Sequence, residues 1–218
     1  MNNVYRVVRL STRVFFKLYG KLKIVGYENL PKEGPVIVAC NHVSYMDPMM
    51  LGAAIMRECA FMARHDLFEK KFLAWLMPKL GSFPVNRDKR DLQAIKTGIE
   101  RLNQGLVLVI FPEGGRTDDG DLQRGEPGAA LFVQKSGAPV VPAIVLGAEE
   151  MMPVGASKLK RAQLKLVFGK PIQFDKSDSR EFIIAEVMRA IAKLLTDNGK
   201  PAVAKEDLVT DLAEMKSD

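Results

Sequence analysis

The chain's 218 residues suffice for one sizeable core and are short for two ordinary domains, and a composition 47% hydrophobic and 27% charged excludes a disordered chain. Two cysteines, Cys40 and Cys59, without a CxxC pair, and only two histidines argue against a disulfide framework and a zinc site, so no metal and a reducing cytoplasm are expected. The formal net charge of +6 equals the six cations Arg6, Arg9, Arg13, Lys17, Lys21 and Lys23, which precede the first acid, Glu28, so the positive charge is directed rather than spread.

Residues 4–21 read as a helix. On a wheel of about 100° per residue, Arg6, Arg9, Arg13 and Lys17 share one narrow stripe. Val4, Val7, Val8, Phe15, Leu18 and Tyr19 lie opposite, and Leu10, Val14 and Phe16 widen the apolar arc. A cationic stripe facing a broad apolar arc suits a helix lying in an anionic lipid interface, where each cation contributes about 1 kcal/mol. The competing reading is a surface helix packed on the core with solvated arginines. The absence of acids favours the membrane, with Arg6, Arg9, Arg13, Lys17, Phe15 and Phe16 as its contacts. Nucleic acid fits less well, because the aromatics sit away from the cations and cannot interleave with phosphate contacts. No apolar run reaches the roughly 18–20 residues of a spanning helix, and charges interrupt the N-terminal segment too often for a secretory signal.

Beyond this helix, strands alternate with helices, the pattern of an α/β domain. Strands are expected at 22–27, 36–40, 59–63, 83–86, 106–111, 139–146 and 163–168. Helices are expected at 47–56, 67–79, 88–103, from Pro127 to about Ser136, and 180–195. Pro31–Gly34 reads as a turn, Pro112–Arg124 as a polar glycine-rich loop, and the residues after Asn198 as a charged tail.

His42 directly follows the apolar run Val36–Cys40, and ligands of α/β sheets bind at the carboxyl ends of strands. Five residues on stands Asp47. Positions i and i+5 point about 140° apart on a helix, so the two side chains meet only if His42 occupies the strand-to-helix turn and Asp47 the first helical turn. Pro48 fits that placement. A carboxylate holding one imidazole nitrogen leaves the other to accept a hydroxyl proton. Alone, a histidine and aspartate at this spacing are more often a helix-start histidine and an N-cap. Cys40 shares a strand face with His42 and offers a second chemistry, covalent acyl capture, against its ordinary use as a buried strand residue.

Two further blocks put arginine at a strand end: Gly81–Arg87, and Phe111-Pro112-Glu113-Gly114-Gly115-Arg116. A guanidinium fork binds phosphate bidentately, and Gly114 and Gly115 allow backbone N–H groups close to an anion. Glu113 can orient Arg116 or shape the loop. Arg64, after the 59–63 strand, is a third cation of the same kind. No nucleotide-binding glycine motif is present.

In these residues the sequence resembles the glycerolipid acyltransferase family, in particular the lysophosphatidic acid acyltransferases. Asn41-His42 to Asp47, Gly81 to Arg87, Phe111 to Arg116, and Val140-Val141-Pro142-Ala143 follow the family's four blocks in order. The departures are Gly115, where the family usually has Thr or Ser, and Pro84. The resemblance implies an α/β fold with a mixed, largely parallel sheet flanked by helices, preceded by the basic amphipathic helix. With the N-terminal helix and the tail read above, the chain divides into a membrane-surface helix (1–21), an acyltransferase domain (22–198) and a charged tail (199–218). The resemblance also implies that His42 is the catalytic base and Asp47 its partner. Arg64, Arg87, Glu113, Gly114, Gly115 and Arg116 would form the phosphate site.

The expected reaction moves an acyl group from a thioester donor, acyl-CoA or acyl carrier protein, to the free hydroxyl of a lysophospholipid, foremost 1-acylglycerol-3-phosphate. Neither an acyl-enzyme nor a resident cofactor is required. The expected setting is peripheral, on the cytoplasmic face of an anionic membrane, without nucleic acid; the oligomeric state is not indicated. The alternatives are another acceptor, such as glycerol-3-phosphate, or a non-catalytic membrane-binding module. The module leaves the three charged strand-end blocks without a purpose.

Overall fold

A computed structural model of the chain describes residues 2–86, 91–116, 121–153, 155–156 and 158–200. The expected tail therefore falls outside the described residues from position 201 onward. Seven strands are present: β1 (Lys23–Val25), β2 (Val36–Cys40), β3 (Cys59–Arg64), β4 (Ser82–Val85), β5 (Val107–Ile110), β6 (Val140–Leu146) and β7 (Lys165–Phe168). The helices between them are α1 (Asn3–Tyr19), α2 (Asp47–Ala54), α3 (Lys71–Lys79), α4 (Leu92–Asn103), α5 (Ala130–Ser136), α6 (Ala148–Met151) and α7 (Arg180–Asp197).

The strands form one sheet of order β1-β7-β6-β2-β5-β3-β4. From β6 to β4 all neighbours run parallel, with Val38 opposite Val109 on one side and Val141 on the other. β7 runs antiparallel to β6, and β1 parallel to β7. The sheet is mixed and mostly parallel, as the family resemblance implies. β2 and β5 are apolar and buried at every position, as required of strands covered by helices on both faces. Side chains of β2 alternate between two cores. Val36, Val38 and Cys40 join Met50, Leu51 and Phe61 on one face, while Ile37 and Ala39 join Leu102, Leu108 and Phe132 on the other.

Several boundaries moved for local reasons. The expected helix 67–79 divides into a 3-10 turn, His65–Glu69, and α3, because Lys70 between them is extended. The first strand stops at Val25, where Gly26 turns with φ +72°. α4 starts after Asp91, whose side chain caps the amide of Ala94; residues 88–90 lie outside the described set. The short helix α6 was not legible in the sequence. Pro84 sits in β4 at the sheet edge and is exposed, where a missing N–H costs no ladder bond.

Helix α1 lies against the sheet face that α2 covers. Phe16 is wholly buried among the core residues of that face, Phe15 is half-buried with its ring stacked on Tyr19, and the Tyr5 hydroxyl accepts the amide of Cys59 at 3.0 Å. Burying one Phe side chain contributes roughly 1.5–3 kcal/mol, which fixes this face of the helix. The expectation that Phe15 and Phe16 contact lipid is thereby corrected: they face the protein. The apolar arc is wide enough to serve two sides, and the side left outward is a ridge of Val7, Leu10, Val14 and Leu18, 47–74% exposed. Of the basic stripe, Arg6, Arg13 and Lys17 are exposed and Arg9 is half-buried; Arg9 donates to the Met56 carbonyl and Arg13 to the Met56 sulfur. Among the described residues no helix is long and apolar enough to cross a membrane.

Candidate active site

The carboxyl ends of β2 and β5 are adjacent, because Ala39 pairs with Ile110. The next residues along, Asn41–Asp47 from β2 and Phe111–Arg116 from β5, form one cluster. Asn41 extends the β2–β6 ladder with its side chain: Nδ2 donates to the Val145 carbonyl at 3.1 Å, and Oδ1 accepts the Val145 amide at 2.8 Å. The chain is thus held in register up to the residue before His42.

His42 and Asp47 meet as their spacing requires, one in the turn and the other opening α2 beside Pro48. Asp47 Oδ2 lies 2.8 Å from His42 Nδ1 and accepts the backbone amides of Val43 and Ser44, also at 2.8 Å. An oxygen that accepts two amide hydrogens favours the tautomer with hydrogen on Nδ1, which leaves Nε2 as the acceptor. The His42 ring stacks on Phe111, with centroids 3.9 Å apart and planes at 18°, and 10% of its side chain reaches solvent. Asp47 is fully buried, and its other oxygen, Oδ1, has no hydrogen-bond partner among the described residues. Burial pushes the Asp47 carboxyl pKa up, opposed by the hydrogen bonds from His42, Ser44 and Val43. The pair is therefore an imidazole backed by a desolvated carboxylate.

Glu113 is a brace. Its Oε1 accepts the His42 amide and its Oε2 the Gln123 amide, each at 2.8 Å, and the residue is buried. This corrects the expectation of a phosphate contact, since the carboxylate points into the loop framework and would repel an anion. Gly114 turns the chain at φ +70° and spends its own N–H on the Phe111 carbonyl at 3.0 Å, so that amide is not offered to an anion. Among the described residues a Cβ at Gly115 would meet nothing within 4 Å, which leaves room there for the hydroxyl side chain usual in the family it resembles. The Arg116 guanidinium lies over the Tyr45 ring, 3.4 Å from its centroid, and so stands beside the His42–Asp47 loop. Arg64 is at the carboxyl end of β3, with β5 between it and β2, and is paired bidentately with Asp66. Arg87 lies outside the described residues. Behind Phe111–Gly114 a cleft of about 730 Å³ runs between α4, α5 and the first turn of α7, with Met62, Ile95 and Phe132 among its apolar walls.

Cys40 does not reach this space. It is fully buried, and desolvation, then Asp47 and Glu113, raise its thiol pKa well above the usual range. A buried thiol so disfavoured as thiolate is not a nucleophile. Cys40→Ala is expected to retain full turnover in a steady-state assay, and loss of kcat in that variant would restore the covalent route. Three residues of the site escaped the sequence reading: Asn41 as ladder extension, Phe111 as the ring under His42, and Tyr45 as the seat of Arg116. Each lies within two residues of a candidate site residue: Asn41 beside His42, Phe111 two before Glu113, and Tyr45 two before Asp47. Only the pairing of β2 with β5 and β6 discloses their roles.

Comparison with known proteins supplies independent findings. Residues 21–146 match the family model described as Acyltransferase. A 1-acyl-sn-glycerol-3-phosphate acyltransferase of Bacillus subtilis is 33% identical over 171 residues, covering 78% of this chain and 82% of the relative. The chloroplastic 1-acyl-sn-glycerol-3-phosphate acyltransferase LPAT1 of Arabidopsis thaliana is 28% identical over 79% of this chain, which spans about half (49%) of that longer protein. The crystal structure of the 1-acyl-sn-glycerophosphate (LPA) acyltransferase PlsC from Thermotoga maritima shares the fold, with a TM-score of 0.77 at 23% identity over 89% of this chain and 80% of that one.

Proposed function

The chain belongs to the acyltransferase family, and from that premise we propose that it transfers a fatty acyl group from a thioester donor to the free hydroxyl of 1-acylglycerol-3-phosphate, giving phosphatidic acid. The observation that carries this reading is the His42–Asp47 pair, 2.8 Å apart at the end of β2 with Arg116 alongside.

His42 Nε2 takes the hydroxyl proton as that oxygen attacks the thioester carbon. The tetrahedral oxyanion collapses, the carbon–sulfur bond breaks, and the thiol leaves with the proton returned by the imidazolium. Asp47 stabilises the imidazolium in between. A thiolate is a good leaving group, so neither an acyl-enzyme nor a resident cofactor is needed. Arg116 receives the acceptor's phosphate, with Arg87 and Arg64 as further cations of the site. The apolar cleft behind Phe111 gives space for an acyl chain. The outward ridge of α1, flanked by Arg6 and Lys17, rests on an anionic membrane at its cytoplasmic face and brings the site to its lipid substrate.

The test is a panel of acceptors (1-acylglycerol-3-phosphate, glycerol-3-phosphate and lysophospholipids with other head groups) offered with acyl-CoA and with acyl carrier protein as donors. Products are read by mass spectrometry. Phosphatidic acid is the expected principal product. Product from glycerol-3-phosphate or another lysolipid alone would reassign the acceptor, and none from any pair would leave the membrane-binding module.

A further inference from the structure

Helix α3 is apolar on both sides. Its inner side places Leu73, Leu76 and Met77 half-buried against the protein, whereas its outer side carries Phe72, 67% exposed, and Trp75, 54% exposed. The two outer rings stand one turn apart with centroids at 6.2 Å, and the Lys79 ammonium lies 5.2 Å from the Trp75 centroid. A helix apolar all round belongs in a protein interior or in lipid, and this one lies on the outside of the sheet.

Its position narrows the choice. The β3–α3–β4 and β4–α4–β5 crossovers progress in opposite directions along the sheet, so the right-handed rule puts α3 and α4 on opposite faces. α4 contributes Leu102 to the core of one face; α3 is therefore on the other, the face that α1 covers. Contact between the two helices agrees, because the Asn2 side chain donates to the Lys79 carbonyl at 2.8 Å. The exposed ridge of α1 and the exposed rings of α3 thus belong to one side of the molecule.

We propose that α3 is a second membrane-docking element, inserting Phe72 and Trp75 into the headgroup–acyl boundary of an anionic phospholipid bilayer; this rests on the reading of α1 as a membrane-surface helix. Tryptophan seats at that boundary, and lysines beside it bury their stems while their ammonium groups reach the head groups. Lys70, Lys71 and Lys79 supply those cations at the two ends of α3, which has no acid of its own; the nearest is Glu69 in the preceding turn. With Arg6 and Lys17 on α1, the charge complements anionic lipid. Two points of contact also hold the protein against rotation about α1, so the site keeps one height above the membrane.

Trp75 is the chain's only tryptophan and reports directly. The full chain is titrated with phosphatidylglycerol vesicles, with or without brominated acyl chains, while co-sedimentation and tryptophan emission are followed. The expected result is binding with a blue shift and with quenching by the brominated lipid. Phe72→Ala, at an exposed position, is expected to weaken vesicle affinity about tenfold without changing the circular dichroism spectrum. Co-sedimentation with unshifted, unquenched emission would overturn the role of α3 and leave that of α1 standing. No co-sedimentation would overturn both. A blue shift that follows protein concentration without lipid would assign the rings to a second copy of the chain and also overturn the proposal.

Discussion

His42→Ala is expected to lower acyl transfer by about 10²–10⁴-fold, the range that a positioned general base contributes. The loss should fall on kcat more than on KM, because in the proposed mechanism the imidazole acts on the hydroxyl proton in the transition state while Arg116 and lipid contacts would hold the ground state. Folding and vesicle binding should persist. Removing the ring gives up its stacking on Phe111 and its bond to Asp47, but the Glu113 brace grips the His42 backbone amide rather than its ring. A variant that retains wild-type kcat would remove the imidazole from the mechanism. One that fails to fold would point to the Phe111 stacking as the ring's main purpose, which the circular dichroism spectrum would reveal.

Asp47→Asn should separate activity from stability. Turnover is expected to fall by about 10²–10⁴-fold, since an amide keeps the imidazole oriented but offers no charge to the imidazolium. The melting temperature at neutral pH should be unchanged or higher. Burial raises the Asp47 pKa in the fold, so its contribution to stability is fully present below the ordinary carboxylate pKa of 3.8 and is lost as pH rises through the raised folded value. At neutral pH the ionised group is therefore a cost that asparagine lacks. The amide oxygen can take the place of Oδ2, which accepts Val43 and Ser44. Its nitrogen then occupies the site of Oδ1, where no partner is given up, and its two unmatched hydrogens offset part of the gain from removing the charge. A large drop in melting temperature would show instead that the carboxylate mainly holds the turn. Thermal melts at several pH values beside single-turnover rates distinguish the two.

Local patterns along the chain suffice for the class of fold, most element positions and the pair at the centre of the site. These follow from local rules: apolar runs of four to six residues bounded by turn residues make covered strands, and a histidine at a strand end five residues before an aspartate beside proline can close only one way. The conjunction of four ordered blocks carried the reading toward acyl transfer. Gly115 and Pro84, the two departures, are both accommodated, one by space free of the described residues and the other by the sheet edge.

Features that depend on neighbours distant in the chain emerge only from packing. Glu113 looked like part of an anion site because it stands between a strand end and an arginine; only the pairing of β2 with β5 shows its two oxygens taken by the amides of His42 and Gln123. The direction of β7 was likewise open, since an apolar strand has the same composition whichever way it runs. Helix α1 illustrates the physical reason best. A helical wheel records which residues are apolar but not which arc meets the sheet, and here the sheet took Tyr5 and Phe16 and left Val7, Leu10, Val14 and Leu18 outward. Spacing along the chain specifies which residues can share a face; packing against the rest of the chain selects the face that is used.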